Sequence, residues 1–428
     1  HTVNKRTKTT LRRWCLYGWT FAKWTMAASA IGVVCGLIGT MFHFGVHEVT
    51  AFRGTHPWVL YLLPLAGFVI VSFYKLTETD GLGTDDIIDA VHEGKRLPIL
   101  LLPAIFFGTV LTHLCGGSAG REGAALQMGG TIGQCMGRTF RLDDRDLRVA
   151  TLAGMAAFFS ALFGTPLAAT VFAIMVISIG VLYHVALYPS LLAALVAYGV
   201  SVRLGVEPTR FTVAVPDQSV GMFVRVAALG VLCALVSILF CKLMHGAGHL
   251  MKRIKNPWLR VICGGFAVIA LTWVFGTDYN GAGMDIVTRA IEQETVAVPW
   301  AFLLKLVFTA VTLAAGFKGG EVVPSFFVGA TFGCAVSPLL GLPVGFGAAV
   351  GLAAVFCGVT NCPVASTLLA VELFGAEGML YFALACCLSY MLSGYQGLYS
   401  SQTILYSKLK AQFINVHTNA YHAGEKTE

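Results

Sequence analysis

Two stretches two hundred residues apart carry one pattern. GGSAGREGAALQMGGTIG begins at Gly116 and GFKGGEVVPSFFVGATFG at Gly316, so Gly120, Gly129 and Gly133 fall on Gly320, Gly329 and Gly333. DGLGTDDIIDAV from Asp80 and NGAGMDIVTRAI from Asn280 share that spacing. A third pair, AGMAAFFSALFGTPLAATVFAI from Ala153 and VGLAAVFCGVTNCPVASTLLAV from Val350, sets Gly154, Pro166 and Thr170 against Gly351, Pro363 and Thr367 at an offset of 197. Three ordered blocks at nearly one offset mark an internal duplication. The fold must be one that two like halves can build.

The halves are apolar. Of the 428 residues, 56% are hydrophobic and 12% charged, where a soluble domain carries about a quarter charged. Apolar runs recur at 26–46, 57–73, 98–115, 149–200, 221–244, 257–275, 301–315, 342–357 and 379–393. Several reach the roughly 20 residues of a spanning helix, and others are shorter or broken by Gly and Pro. The two-residue alternation of a membrane strand barrel is absent. The expectation is an all-α polytopic membrane protein. Glycine- and proline-broken segments at matching points of a duplicated membrane domain predict a transporter, with its substrate site at the repeat interface. The expected organisation is a basic cytoplasmic segment at 1–26, repeats at 27–215 and 216–402, and a short cytoplasmic tail at 403–428. The polar stretch RLGVEPTRFTVAVPDQS (203–219) joins the halves, and no soluble domain is expected to follow.

The N-terminal segment holds Lys5, Arg6, Lys8, Arg12 and Arg13 without an acid. That bias predicts a cytoplasmic N-terminus resting against anionic headgroups. The basic residues do not interleave with aromatics in a folded patch, so nucleic acid is not an expected partner. No cleavable signal is read there. The 12 cysteines lie mostly inside apolar runs with no C-x-x-C, which predicts small buried hydrophobes rather than a zinc site or disulfide framework. His43/His47 and His245/His249 have the i,i+4 spacing of a metal pair but lack the glutamate of H-E-x-x-H; they read as packing or interfacial histidines. No Ser/His or His/Asp constellation stands out, so no enzyme activity and no cofactor are expected.

The chemistry gathers at four glycine-containing interruptions, 81–84, 116–123, 316–323 and 394–400, of which the first three lead into helices. Helix N-termini carry unsatisfied N–H donors and partial positive charge. Several aimed at one point make an anion site without a full charge, and glycine lets backbone amides come close to the ion. A cation site would instead call for inward carboxylates. One of the few intramembrane acids, Glu122, opens a helix, where a carboxylate is itself a bound anion. Deprotonated, it occupies the substrate's place; protonated, it loses that attraction and can swing away. One side chain thereby couples proton and anion by competition. The alternative is that Arg121 and Glu122 only pair with each other or cap the helix, although ionisable groups within a membrane are functional by default.

GREGAALQMGG, GLGTDD and GGEVVPSFFVGATFG resemble the three signature loops of the CLC family of chloride channels and anion/proton antiporters, and the likeness runs from about residue 27 to 402. The resemblance implies a CLC-type inverted repeat of tilted and broken transmembrane helices. It also implies a homodimer with one pathway per subunit, both termini cytoplasmic, in a membrane that we expect to be a bacterial inner membrane. The chloride branch has G-S-G-I-P in its first loop, whereas Leu82 stands at the serine position; its third loop reads G-G-x-F-x-P, whereas this chain has GGEVVP. Both features are closer to the fluoride/proton antiporter branch. That implies fluoride export driven by protons, with a chloride channel or chloride/proton antiporter of the same fold as the alternative.

Carried over by position, Glu122 is the gating glutamate and Glu321 a candidate for the inner proton path, or else a helix cap. The implied anion-binding set is Gly81, Leu82, Gly83, Gly120, Arg121, Gly123, Val322, Val323 and Tyr399, with the Tyr399 hydroxyl closing the inner side or, alternatively, an interfacial anchor. Departures are Val323 where the fluoride branch has threonine, Gly83 where it has asparagine, and Ala124 after GREG. Met175 and Val176 replace glutamates that serve the inner proton path of many chloride antiporters. Glu372, at the matching point of the second repeat, is a further candidate for coupling, or a cap.

Overall fold

The computed structural model describes residues 2–296 and 298–419, with side chains described from Arg12 onward. The side chains of Lys5, Arg6 and Lys8, and the end of the expected tail, 420–428, lie outside that description. Sixteen α-helices are described, eight in each half. The first half runs α1 (Thr2–Thr55), α2 (Leu63–Leu76), α3 (Thr84–Glu93), α4 (Leu101–Leu114), α5 (Glu122–Thr139), α6 (Asp144–Phe163), α7 (Pro166–Met175) and α8 (Leu187–Arg203). The second repeats it with α9 (Val220–Met251), α10 (Pro257–Phe275), α11 (Met284–Glu292), α12 (Ala301–Ala315), α13 (Val322–Leu340), α14 (Val344–Thr360), α15 (Pro363–Phe374) and α16 (Met379–Leu392). Among the described residues, seven helices are long and apolar enough to cross a membrane, and shorter apolar helices accompany them.

The duplication reaches the backbone angles. α6 ends on Gly164 (φ 68°, ψ 34°) and α14 on Asn361 (φ 61°, ψ 33°), both left-handed. Next come Thr165 (φ −123°, ψ 72°) and Cys362 (φ −120°, ψ 71°), and then Pro166 and Pro363 open the following helices. Glycine or asparagine is what a left-handed cap admits, and proline at the first helical position removes an N–H that has no partner there anyway. The expected run 149–200 is accordingly cut here, and again near Gly180, into three helices.

The buried glycines explain the closest crossings. Gly129 and Gly133 of α5 lie on Gly154 and Ala150 of α6, and Gly329 and Gly333 of α13 on Gly351 and Gly347 of α14. A Cβ at Gly129, Gly133, Gly154, Gly329, Gly333 or Gly351 would run into the opposite backbone, and one at Gly347 into the Ser337 side chain. In lipid, where tails are as apolar as leucine, such small-residue contacts supply the packing that holds helices together. Of the most apolar stretch of α6, 83% is buried inside the protein, against 33% for α10, so α6 is an interior helix and α10 a peripheral one.

Two features differ from the expectation. The basic segment does not stand apart from the first span: α1 continues through it from Thr2, over about 80 Å at 1.5 Å per residue, because nothing between Lys5 and Trp24 breaks a helix. The stretch after 402 is not merely a tail. β2 (Thr403–Tyr406) pairs in parallel with β1 (Ser178–Ile179) and antiparallel with β3 (Phe413–His417). The end of the second half is thus tied to the first half through β1.

Candidate functional site

Three of the four glycine interruptions line one cavity of about 260 Å³. The loop before α3 contributes Gly81, Leu82 and Gly83; the loop before α13 contributes Lys318, Gly319 and Glu321; the segment after α16 contributes Leu398 and Tyr399. Gln127 of α5 also reaches it, donating to Thr84 Oγ1 at 3.0 Å. Gly81 takes the left-handed φ of 80° that its turn requires. The Leu82 amide donates to Thr79 O at 3.2 Å and the Gly83 amide to Asp86 Oδ2 at 2.9 Å. This loop therefore offers the cavity glycine backbone and an apolar side chain, with two of its donors already engaged.

The start of α13 is different. Val322 and Val323 open the helix, so their amides have no acceptor within it, and Pro324 brings none. Both valines are fully buried. Tyr399 is 3% exposed, and its hydroxyl has no hydrogen-bond partner among the described residues. Its backbone is well held, with Thr418 Oγ1 donating to Tyr399 O at 2.7 Å. A buried hydroxyl without a partner normally calls for one.

Glu122 is 1% exposed. Its carboxylate turns back on the start of its own helix, accepting from the Arg121 amide at 2.9 Å and from Arg121 Nε at 3.0 Å. Arg121 also meets His43 Nδ1 at 2.9 Å. In this conformation the glutamate therefore does pair with Arg121 and cap α5, as an anion at a helix N-terminus does. Gly120 and Gly320 exchange backbone hydrogen bonds of 2.8 Å in each direction. Both carboxylates flank this bridge: a Cβ on Gly120 would lie 3.1 Å from Glu122 Oε2, and one on Gly123 would lie 3.4 Å from Glu321 Oε2. Glu321 also lines a second, wider cavity of about 470 Å³, together with Asp85, His245, His249 and Lys252. Glu372 accepts from the Leu167 and Ala168 amides at 3.2 and 2.8 Å, so it caps α7 across the repeat boundary.

The family model described as voltage gated chloride channel matches residues 65–394. A chloride/fluoride channel protein of Pseudomonas syringae pv. tomato is 39% identical over 399 residues, covering 90% of this chain and 88% of that protein. The chain belongs to the CLC family. Its fold superposes on the crystal structure of a CLC-type fluoride/proton antiporter with a TM-score of 0.87 at 32% identity, covering 90% of this chain and 99% of that one. A slow cyanobacterial Cl−/H+ antiporter shares the fold at a TM-score of 0.75 and 19% identity, with 86% and 94% coverage. The two halves described above are the CLC-type inverted repeat.

Within this CLC fold, the residues singled out in the sequence fall into two groups. Gly81, Leu82, Gly83, Glu321 and Tyr399 share the smaller cavity. Gly120, Arg121, Glu122, Gly123, Val322 and Val323 form the junction between α5 and α13 instead. Sequence reasoning passed over Lys318, whose ammonium lies 4.1 Å from the centre of the Tyr74 ring. Among the described residues it is the one cation lining the smaller cavity, beside Asp85, Asp86 and Glu321. The sequence signal was present: a lysine inside GFKGG, where the first repeat has Ser118.

Proposed function

We propose that this protein is a fluoride/proton antiporter that exports fluoride using the proton gradient, with Glu122 as the exchange gate. The observation that carries the reading is the unpartnered buried Tyr399 hydroxyl, set in a cavity lined by three glycine-containing segments between elements. Fluoride is small and strongly hydrated, so a site must replace its water donors. The Tyr399 O–H and the free amides at Val322 and Val323 are such donors, and neither needs to break a protein hydrogen bond. Leu82 offers no hydroxyl, which suits a site that does not coordinate chloride through a serine. The relatives' names, a chloride/fluoride channel protein and a fluoride/proton antiporter, point the same way.

In the proposed cycle, deprotonated Glu122 holds the start of α5 as an anion would. Proton uptake from one side weakens that hold and frees the amide for fluoride; proton release returns the carboxylate and expels the ion. Glu321, which lines both cavities, delivers or collects the proton on the side that Tyr399 closes. The working unit is a homodimer in a bacterial inner membrane, with repeats at 27–215 and 216–402 and both ends cytoplasmic.

The test uses purified protein in liposomes, with fluoride and chloride electrodes and a pH electrode recording together. Fluoride efflux well above chloride, with proton uptake into the vesicles, is expected. Chloride efflux equal to or above fluoride overturns the assignment. A chloride carrier of the same fold would then be favoured by Val323, which lacks the hydroxyl of threonine.

A further inference from the structure

The cavity of about 470 Å³ beyond Glu321 has His245 on its wall, beside Ser400 of the Tyr399 loop. His245 Nδ1 lies 2.8 Å from Cys241 O. A carbonyl only accepts, so Nδ1 carries a proton and Nε2 of the neutral ring is an acceptor. Nε2 faces Asn419 Nδ2 at 3.2 Å and Ser400 Oγ at 3.4 Å. The Asn419 amide has no freedom to turn round: its Oδ1 accepts from Gly397 N at 3.0 Å and its Nδ2 donates to Gly397 O at 3.1 Å. Its backbone N–H donates to Tyr395 O at 3.0 Å. Asn419 therefore clasps the 395–397 backbone with one hand and gives its remaining donor to His245.

We propose that His245, acting through Asn419, is a positioning residue for the loop that carries Tyr399, and that protonation of its Nε2 releases the loop. The inference rests on the reading of Tyr399 as an anion-site donor. A second proton turns Nε2 from acceptor to donor and sets it against the fixed Asn419 N–H, so that link is lost rather than reversed, while the Ser400 hydroxyl can turn to accept. Histidine is the side chain suited to make that change near neutral pH. Asp85 of α3 and Glu321 at the start of α13 face the same cavity, as do His249 and Lys252 farther along α9. Leu313 and Ala314 of α12 bring no charge. Lys408 is turned away, to Asn361 Oδ1 and Tyr390 O. Asp85 is also tied to the loop directly, accepting from the Ser401 amide at 3.0 Å, so release on one side leaves a tether on the other. Acidity on the cavity side thus loosens the tyrosine loop when protons are there to be moved.

The test is hydrogen–deuterium exchange of segment 394–402 in the full-length protein in lipid nanodiscs, read as protection after correction for intrinsic exchange. Lowering the pH from about 7.5 to about 5.5 brackets histidine titration. It is expected to reduce protection about threefold to tenfold, the worth of one hydrogen bond. In His245→Gln, which keeps an acceptor but does not titrate, the pH response is expected to vanish. In Asn419→Asp, which offers an acceptor instead, acidification is expected to raise protection. A His245→Gln response equal to that of the natural protein overturns the proposal, as does an unchanged sign in Asn419→Asp. Fluoride flux is recorded on the same preparations. Absent flux with the protection changes intact overturns the transport reading but supports the His245 linkage; intact flux without those changes does the reverse.

Discussion

Gly120 and Gly320 donate to each other's carbonyl at 2.8 Å, and they are the same position of the two repeats. A residue that pairs antiparallel with its own counterpart lies on a two-fold axis, as in an isologous dimer contact. The neighbours obey the same axis. Ser118 N donates to Thr312 Oγ1 at 3.1 Å, and Lys318 N donates to Thr112 Oγ1 at 3.2 Å. The symmetry stops at the acids, for Glu122 has Val322 as its counterpart and Glu321 has Arg121. The scaffold is duplicated and the chemistry is not.

Glu122→Gln is expected to keep fluoride movement while proton coupling disappears. Fluoride and pH electrodes on the same liposomes read both. Coupling that survives with its natural stoichiometry would remove Glu122 from the proposed cycle.

Tyr399→Phe removes a hydroxyl that no described residue engages, so the thermal midpoint should hardly move. Fluoride affinity by calorimetry should fall about tenfold or more, as for a hydrogen bond to a charged group. An unchanged affinity would leave Tyr399 as packing.

Leu82→Ser puts a hydroxyl into the smaller cavity. The ratio of fluoride to chloride efflux is expected to drop several-fold, through a gain in chloride movement. A ratio equal to that of the natural protein would deny position 82 a part in selectivity.

Glu372→Gln retains an oxygen for only one of the Leu167 and Ala168 amides, which bond different carboxylate oxygens, and loses charge at the start of α7. Stability should fall by about 1–3 kcal/mol, from the lost charge and one lost hydrogen bond, with proton coupling unchanged, measured by thermal unfolding and by flux. Lost coupling would make Glu372 more than a cap.

Gly320→Ala would set its Cβ 2.5 Å from Gly123 Cα, between two helix starts that have no room to part. Overpacking of this kind costs about 1–3 kcal/mol. A lower unfolding temperature and lower recovery of folded protein by size-exclusion chromatography are expected.

Much of this molecule is legible in one dimension because it is written twice. The repeated glycines of 129–133 and 329–333 anticipate the helix crossings, and G-R-E-G places Glu122 at a helix start. What escapes is pairing between segments distant in sequence. The strands at 178–179, 403–406 and 413–417 are too short to announce themselves, and their partners are set by the packed helices. Lys318 meets Tyr74, and Asn419 meets His245, only because tertiary structure brings them together. The engaged amides of Leu82 and Gly83 were likewise hidden, since a glycine loop looks the same whether its donors are free or held.

The bridge on the two-fold axis bears on how such a protein can move. Turning one half against the other as rigid bodies would break both Gly120–Gly320 hydrogen bonds at once and pull Gly123 out of contact with Gly320. The parallel strand pairing of 178–179 with 403–404 resists the same rotation at a second place. A double lock across the seam leaves little for large rocking motions to do. In the proposed cycle, alternation between the two faces of the membrane then falls to the swing of a carboxylate and the slackening of one tyrosine-bearing loop.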